Sequence, residues 1–374
     1  MTPKTEDELS EIIKAARDPL QIRGGGTRGG AGTGALLETG GLSGISLYEP
    51  GALTLVAGAG TPLAEIDTAL ARENQRLAFE PLDHRTLLGS SGEPTLGGVA
   101  ATNASGPRRI QVGAARDFML GVRFVDGAGN IVKNGGRVMK NVTGYDLVKL
   151  MAGSWGQLGV MTEVSLKVLP VPEMIATLLI NGLNETRAVA AMSRALGSPF
   201  EITGAAHAPR GVDGHPVTML RIEGFETQIT YRAGELKKLL AEFGDIAVET
   251  DQDRVAAGWA WVRDVALMKD KPGDVWRFSV KPSDGPKLAA ALGAEDILLD
   301  WGGGLVWARM PEGTDARTKM GDIAGHGTLV RMSDGSRGRI PRLHPEPAPV
   351  AKLTDGLRAR FDPRGLFNLA PVPA

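Results

Sequence analysis

Seven of the eleven positions from Gly24 to Gly34 are glycine, directly after the short run Leu20-Gln21-Ile22-Arg23. Neither a helix nor a strand interior suits that density, because each glycine costs roughly 0.5–1 kcal/mol relative to alanine inside an element. A structural turn needs only one or two. What the run supplies is main chain bare of side chains, with the N–H groups of residues 23–30 free to form an anion-binding nest. The excess is regional. Of 51 glycines in 374 residues, 28 lie in residues 1–160 and 23 in the remaining 214. The N-terminal part is therefore the part built to wrap a ligand with its backbone.

Gly24-Gly25-Gly26-Thr27-Arg28-Gly29 formally satisfies G-x-G-x-x-G after a strand. That fingerprint needs its last glycine to open a helix, and here Gly-Ala-Gly-Thr-Gly follows. Gly58-Ala59-Gly60 does precede a helix, but Leu63 takes the third glycine's place. Both departures argue against a nicotinamide-binding Rossmann unit. A second segment, residues 94–106, is small and neutral. Thr95, Thr102, Asn103 and Ser105 offer hydrogen bonds, while Gly97, Gly98 and Gly106 let a planar ring approach. Alone it reads as a buried small-residue turn; beside the glycine loop it reads as the second wall of one site.

Thr5-Glu6-Asp7-Glu8 is the pattern of a capping box opening a helix with Leu9, Ile12, Ile13 and Ala16 on one face. Thr61 and Pro62 suit N-cap and first turn of a second helix. Strand-like segments at 118–126 and 131–133 flank a turn at Asp126-Gly127-Ala128-Gly129, and a further strand spans 163–169. Pro170 and Pro172 punctuate a boundary. Beyond it, strands and helices alternate twice in the manner of an α+β unit, with five of the six tryptophans (Trp259, Trp261, Trp276, Trp301, Trp307). These suit a subunit interface or ordinary core equally. No internal repeat is readable.

Lys+Arg 42 against Asp+Glu 43 leaves no basic surplus for nucleic acid. Without cysteine there are no disulfides, thiolate metal sites or iron–sulfur ligands. The five histidines fall in no HxxxH or HExxH spacing, so no metal is expected. The N-terminus lacks a secretory apolar region, and no run approaches the ~18 apolar residues of a membrane span. A cytoplasmic protein is expected.

RGGGT at 23–27, PTLGGVAATNASG at 94–106, GAARD at 113–117 and GQLGVMTEVSLKVLP at 156–170 together resemble the FAD-binding domain of the vanillyl-alcohol oxidase / p-cresol methylhydroxylase (PCMH) type. The stretch 136–170, with FDPRGLFN at 361–368, resembles the FAD-binding subunits of bacterial glycolate oxidases. The resemblance implies an α+β flavoprotein: a PCMH-type FAD domain of residues 1–171 plus 345–374, and an inserted α+β, ferredoxin-like cap of 172–344. It implies that Arg23, Gly24, Gly25, Gly26 and Thr27 hold the FAD pyrophosphate. Pro94, Thr95, Gly97, Gly98, Thr102, Asn103, Ser105 and Gly106 would line the pyrophosphate and isoalloxazine, and Gly159, Val160 and Thr162 the adenine end. Relatives with covalent flavin carry histidine where Thr27 stands, so noncovalent FAD is implied. Implied partners are a catalytic-type flavoprotein subunit and an iron–sulfur subunit, with any membrane association peripheral, through those partners, at the inner face of the membrane.

The departures concern catalysis. Related 2-hydroxy-acid dehydrogenases carry HxGDGN-like and EHG-like histidine clusters; His207, His215 and His326 reproduce neither. His326, in Gly325-His326-Gly327, is the best lone candidate base, though a loop or structural histidine is the preferred reading. The excess of Arg108, Arg109, Arg116, Arg123, Lys133, Arg137 and Lys140 reads mostly as a solvated sheet face. Arg116, inside a matched motif, is the exception, suited to an anionic substrate or the reduced flavin. The expected function is the FAD subunit of a glycolate-oxidising complex, passing electrons to an acceptor. Two alternatives remain: a self-sufficient 2-hydroxy-acid dehydrogenase, and a non-catalytic structural flavoprotein.

Overall fold

A computed structural model describes residues 1–29, 34–138 and 144–367. Gly30 to Gly32 of the glycine loop, Lys140 of the basic run and Asn368 onward lie outside the described residues.

The first helix, Glu6–Ala15, starts where its cap predicts. Thr5 Oγ1 accepts from the Glu8 N–H at 3.1 Å. The Glu8 carboxylate accepts from Lys4 N–H instead of closing on Thr5, so the box is half built. The buried helix residues Leu9 and Ile13 pack on Leu20, Leu37 and Phe367. Strand β1 (Leu20–Arg23) pairs in parallel with β2 (Ala35–Glu38), Leu20 opposite Ala35; the glycine loop thus joins two parallel neighbours. The chain's far end closes this unit. The Asp362 carboxylate accepts from Leu366 and Phe367 N–H, and Leu20 N–H donates to the Leu366 carbonyl.

Strands β3 (Ile45–Glu49) and β4 (Thr54–Gly58) follow, then a two-residue β5 (Gln75–Arg76), the hairpin β6 (Met119–Val125) and β7 (Ile131–Gly135), and β8 (Val160–Lys167). They form an antiparallel sheet in the order β3-β4-β8-β6-β7; β5 pairs instead with β9 (Leu169–Pro170). One local expectation shifts. The second helix begins at Leu63 with Pro62 as its cap, because the Thr61 hydroxyl is occupied accepting from Gly44 N–H at 2.9 Å. Within residues 94–106, read as the second wall of the site, Leu96–Thr102 is a helix capped by Thr95, whose Oγ1 accepts from Gly98 N–H.

The remaining strands are β10 (Met174–Asn181), β11 (Gly204–Ala208), β12 (Val217–Gly224), β13 (Ile246–Glu249), β14 (Asp274–Val280), β15 (Asp296–Asp300), β16 (Leu305–Met310) and β17 (Gly325–Arg331). They make one sheet in the order β13-β10-β12-β11-β15-β16-β14-β17. Its first four strands, with helices Glu185–Leu196 and Glu226–Leu239, have the β-α-β-β-α-β ferredoxin-like order. The last four mirror it, joined edge to edge where His207 meets Leu299. An internal repeat therefore exists where the sequence shows none. The second half replaces one helix by a single 3₁₀ turn, Ala316–Lys319, and packing constrains the apolar pattern rather than residue identity.

One face of this sheet is covered by its own helices around Leu178, Leu220, Trp276 and Phe278. The other contributes Ala206, Leu298 and Trp307 to a core shared with Leu55, Phe79 and Phe124 of the N-terminal sheet. Trp259, Trp276 and Trp307 are buried, so these three are core and not an exposed interface. Ion pairs stitch the same seam. Arg221 forks onto Glu80 at 2.8 and 2.9 Å, and Glu223 takes both Arg76 and Arg108.

Candidate functional site

The glycine loop and the segment before the capped helix interlock backbone to backbone. A Cβ on Gly25 would land on the Glu93 carbonyl oxygen, and one on Gly92 on the Gly25 carbonyl oxygen. Only glycine permits that approach. It leaves a cavity of about 120 Å³ walled by the loop, the 96–102 helix and the segment Trp155–Met161. Trp155 itself has φ +55°, a strained value for a bulky residue of the sort that collects at binding sites. Its N–H donates to the Ala101 carbonyl, as Gly153 N–H does to Ala100, so the main chain there is pinned to the helix.

A second cavity, of about 280 Å³, lies beyond Trp155. The two share Arg28, Thr102 and Trp155 in their linings and form one continuous groove. Arg28, Arg109, Arg277 and Arg342 face the second cavity, and among the described residues no acidic side chain lines either. Burial pushes Arg277 down to about 10, helped by the charge of Arg109 and opposed by Asp300. Burial likewise lowers Arg28 to about 10 against the pull of Asp83 and Asp264. His84 is driven to about 3 by burial and by Arg28 and Arg277. His326 is lowered by burial first, then by Arg277, His344 and Arg109. Both imidazoles are thus held neutral at neutral pH. Asp300, just outside, is raised by burial to about 7 while its carboxylate accepts from Trp301 N–H at 2.7 Å.

The first cavity is lined by Arg23, Gly24, Gly25, Gly26, Thr27, Thr95, Gly97, Gly98, Thr102 and Gly159, all singled out from the sequence. Thr102, Asn103 and Ser105 line the second. Five sequence-selected residues line neither. The Pro94 carbonyl accepts from Leu63 N–H, and the Gly106 carbonyl from the Trp301 indole. Val160 packs in the core beneath helix Glu6–Ala15, while the Thr162 hydroxyl bonds Glu6. Arg116 is half exposed beside Asp117. Of its basic neighbours, Arg108 is buried on Glu223 and Arg123 is paired with Glu6; among the described ones, Arg109 alone turns into the groove. Missed altogether were Trp155, His84, Arg277 and Arg342. Trp155 had a local signal, a tryptophan set in Gly-Ser-Trp-Gly. Arg277 had another, a lone cation inside the apolar strand Val275-Trp276-Arg277-Phe278.

The groove has the chemistry of an anion site: a backbone-walled, glycine-lined first part, cations and, among the described residues, no acid in either lining, and Trp155 at the join. Residues 1–135 match the family described as the FAD binding domain. The chain is 33% identical over 366 residues, 96% of its length and 95% of the relative's, to glycolate oxidase subunit GlcE of Escherichia coli (strain K12). D-lactate dehydrogenase of Archaeoglobus fulgidus is 33% identical over 176 residues, covering 45% of this chain and 38% of that one. Glycolate oxidase subunit GlcD of Bacillus subtilis (strain 168) is 34% identical over 196 residues, 48% of this chain and 38% of that one. Among solved structures, alkyldihydroxyacetonephosphate synthase superposes with TM-score 0.68 at 16% identity, over 100% of this chain and 77% of its own. For 4-ethylphenol oxidase from Gulosibacter chungangensis the TM-score is 0.69 at 13% identity, over 98% and 87%. At those identities the likeness is of fold, and it is the PCMH-type fold that the motifs imply. Matched along nearly its whole length at 33% identity, with FAD as the cofactor its N-terminal domain takes, the chain belongs to the glycolate oxidase subunit GlcE family of FAD-dependent oxidoreductases.

Proposed function

We propose that this chain is the FAD-binding subunit of a complex that oxidises glycolate, or a close 2-hydroxy acid, to the 2-oxo acid and passes the electrons to an acceptor. The observation that carries the reading is the full-length relationship to a glycolate oxidase subunit, in a chain whose groove runs from a glycine-lined anion cradle into an arginine-lined cavity. FAD, when bound, supplies the two-electron oxidant. The protein's part is to bind and orient. Gly24, Gly25, Gly26 and Thr27 would hold the pyrophosphate through main-chain N–H groups, with Arg23 and Arg28 adding charge. Thr95, Gly97, Gly98 and Thr102 would form the opposite wall, and Trp155 would bound the ring end. Among the described residues the first cavity's lining holds no histidine, cysteine or tyrosine, which supports noncovalent binding.

In this reading the FAD domain comprises residues 1–171 plus 345–374, and residues 172–344 form the cap. The relatives' names as subunits GlcE and GlcD support assembly into a multi-subunit glycolate oxidase. A second flavoprotein subunit and an iron–sulfur subunit are the proposed partners, the latter because this chain has no cysteine to hold a cluster. Among the described residues no helix is long and apolar enough to cross a membrane; the complex is proposed to work in the cytoplasm or at the membrane's inner face.

Reconstitution tests the reading. The FAD-loaded chain with its co-expressed partners should form glyoxylate from glycolate with an artificial acceptor over many turnovers, and the apo chain should not support it. Equal turnover by the partners without this chain would overturn the proposal.

A further inference from the structure

Period-two geometry puts Arg277 and Ser279 of β14 on one sheet face, and their antiparallel partners on β17 are Thr328 and His326. All four line the second cavity. Directly opposed Cβ atoms in such a ladder lie about 4.5–5.5 Å apart and diagonal ones about 7–8 Å. A cation and an imidazole therefore stand diagonally on one face of the ladder, with two hydroxyls on the other corners.

The charge pattern around them is one-sided. Elsewhere the buried arginines are matched: Arg221 by Glu80, Arg108 by Glu223, Arg263 by Asp264. Within the cavity, Arg28 and Arg342 are tied to main-chain carbonyls of Leu82, Val330 and Gly29. Arg277 and Arg109 have neither hydrogen bond nor ion pair through their side chains among the described residues. Each lies against the Trp301 ring, its Cζ 5.0 and 4.7 Å from the centroid. Both side chains are part-buried, and a guanidinium so placed gains from an anionic hydrogen-bond partner. An anion entering the cavity supplies one.

We propose that this patch is a carboxylate subsite built by this chain alone, with Arg277 the anchor for the carboxylate of a short 2-hydroxy acid, Arg109 its second cation, and His326 the acceptor of the hydroxyl proton. Ser279 and Thr328 hydrogen-bond the bound acid. As the substrate O–H bond breaks, its proton passes to the imidazole; the α C–H hydrogen leaves with its electron pair to the oxidant named above, and the carbonyl forms. The assignment rests on the flavin reading, since the oxidant is FAD, and the test separates the two.

Oxalate, which has no hydrogen to give up, is titrated into the FAD-loaded full-length chain and followed by calorimetry and by quenching of tryptophan fluorescence. Saturable binding is expected for the wild type. Arg277→Gln should weaken it at least tenfold and Arg277→Lys less, with flavin content unchanged; Arg194→Gln, on the cap's exterior, should bind as the wild type does. Arg109→Gln, less deeply set, should weaken oxalate severalfold and stands in if the Arg277 variants fail to fold. His326→Gln should keep oxalate affinity within threefold yet lose bleaching by glycolate a hundredfold. A wild type that retains FAD but shows no saturable oxalate binding overturns the subsite and leaves the flavin reading intact; so does wild-type affinity in both arginine variants. Failure to retain FAD at all overturns the flavin reading itself.

Discussion

The indole N–H of Trp301 donates to the Gly106 carbonyl at 3.1 Å, tying the end of β15 to a residue 195 positions earlier in the small-residue segment. One indole thus ties the segment just after the 96–102 helix to the C-terminal sheet, and its ring carries Arg109 and Arg277 on its surface. Trp301→Phe keeps most of that surface and loses the bond, at an expected cost of about 1 kcal/mol in denaturant unfolding. Trp301→Ala should cost more and weaken oxalate as well. Equal stability of the two variants would contradict the tether.

The interlocked loops make a sharper prediction. Gly25→Ala and Gly92→Ala each drive a methyl group into a backbone carbonyl, so flavin content after purification should fall at least tenfold even with no charge introduced. Gly51→Ala meets nothing within 4 Å and should retain flavin fully. Flavin content is read from the absorbance ratio of the folded variants; full retention in Gly92→Ala would remove the tight cradle from the account.

Glu223 of β12 takes Arg76 and Arg108 across the seam, with Arg221 beside it on its own strand. Burial alone would raise its carboxyl, but Arg221, Arg108 and Arg76 outweigh that and hold it at about 2. A carboxyl lowered from an ordinary 4.5 contributes stability that is present above pH 4.5 and drains away as the pH falls through about 2. Glu223→Gln strands the arginines and should cost about 3–5 kcal/mol at neutral pH. The wild type's advantage should shrink below pH 4.5 in acid-unfolding curves. A constant difference across that range would contradict the assignment.

Asp300 runs the other way. Its carboxyl is raised by burial from 3.8 to about 7, so the folded state prefers it protonated. The preference is complete below pH 3.8 and is lost as the pH rises through 7. Asp300→Asn keeps an acceptor for the Trp301 N–H and carries no charge. The variant should gain stability on the wild type as the pH climbs through that window, measured by thermal unfolding at fixed ionic strength. A gain independent of pH would refute the buried neutral acid.

The cradle was legible because it is made of local chemistry. Consecutive glycines, a threonine cap and a short motif of small residues announce their roles in order along the chain, and ten of the residues they point to meet around one cavity. The cap's site was not legible in the same way. Arg277 and His326 are 49 positions apart and become neighbours only through the β14–β17 register, which a lone strand pattern does not specify. Arg109 and Arg116 look alike in sequence, yet the short helix Arg109–Val112 turns one onto Trp301 while the other stays half exposed. The mirrored halves of the cap escaped notice because their resemblance lies in strand order, and Thr61 missed its helix because a distant backbone N–H claimed its hydroxyl.

The most direct test of the central claim is the visible spectrum of the purified full-length chain, taken without partners, before and after anaerobic addition of glycolate. The account requires a flavin spectrum that bleaches once per bound FAD, continued turnover then depending on the partner subunits. A flavin spectrum left unchanged by glycolate, or a colourless protein that does not take up added FAD, would contradict it.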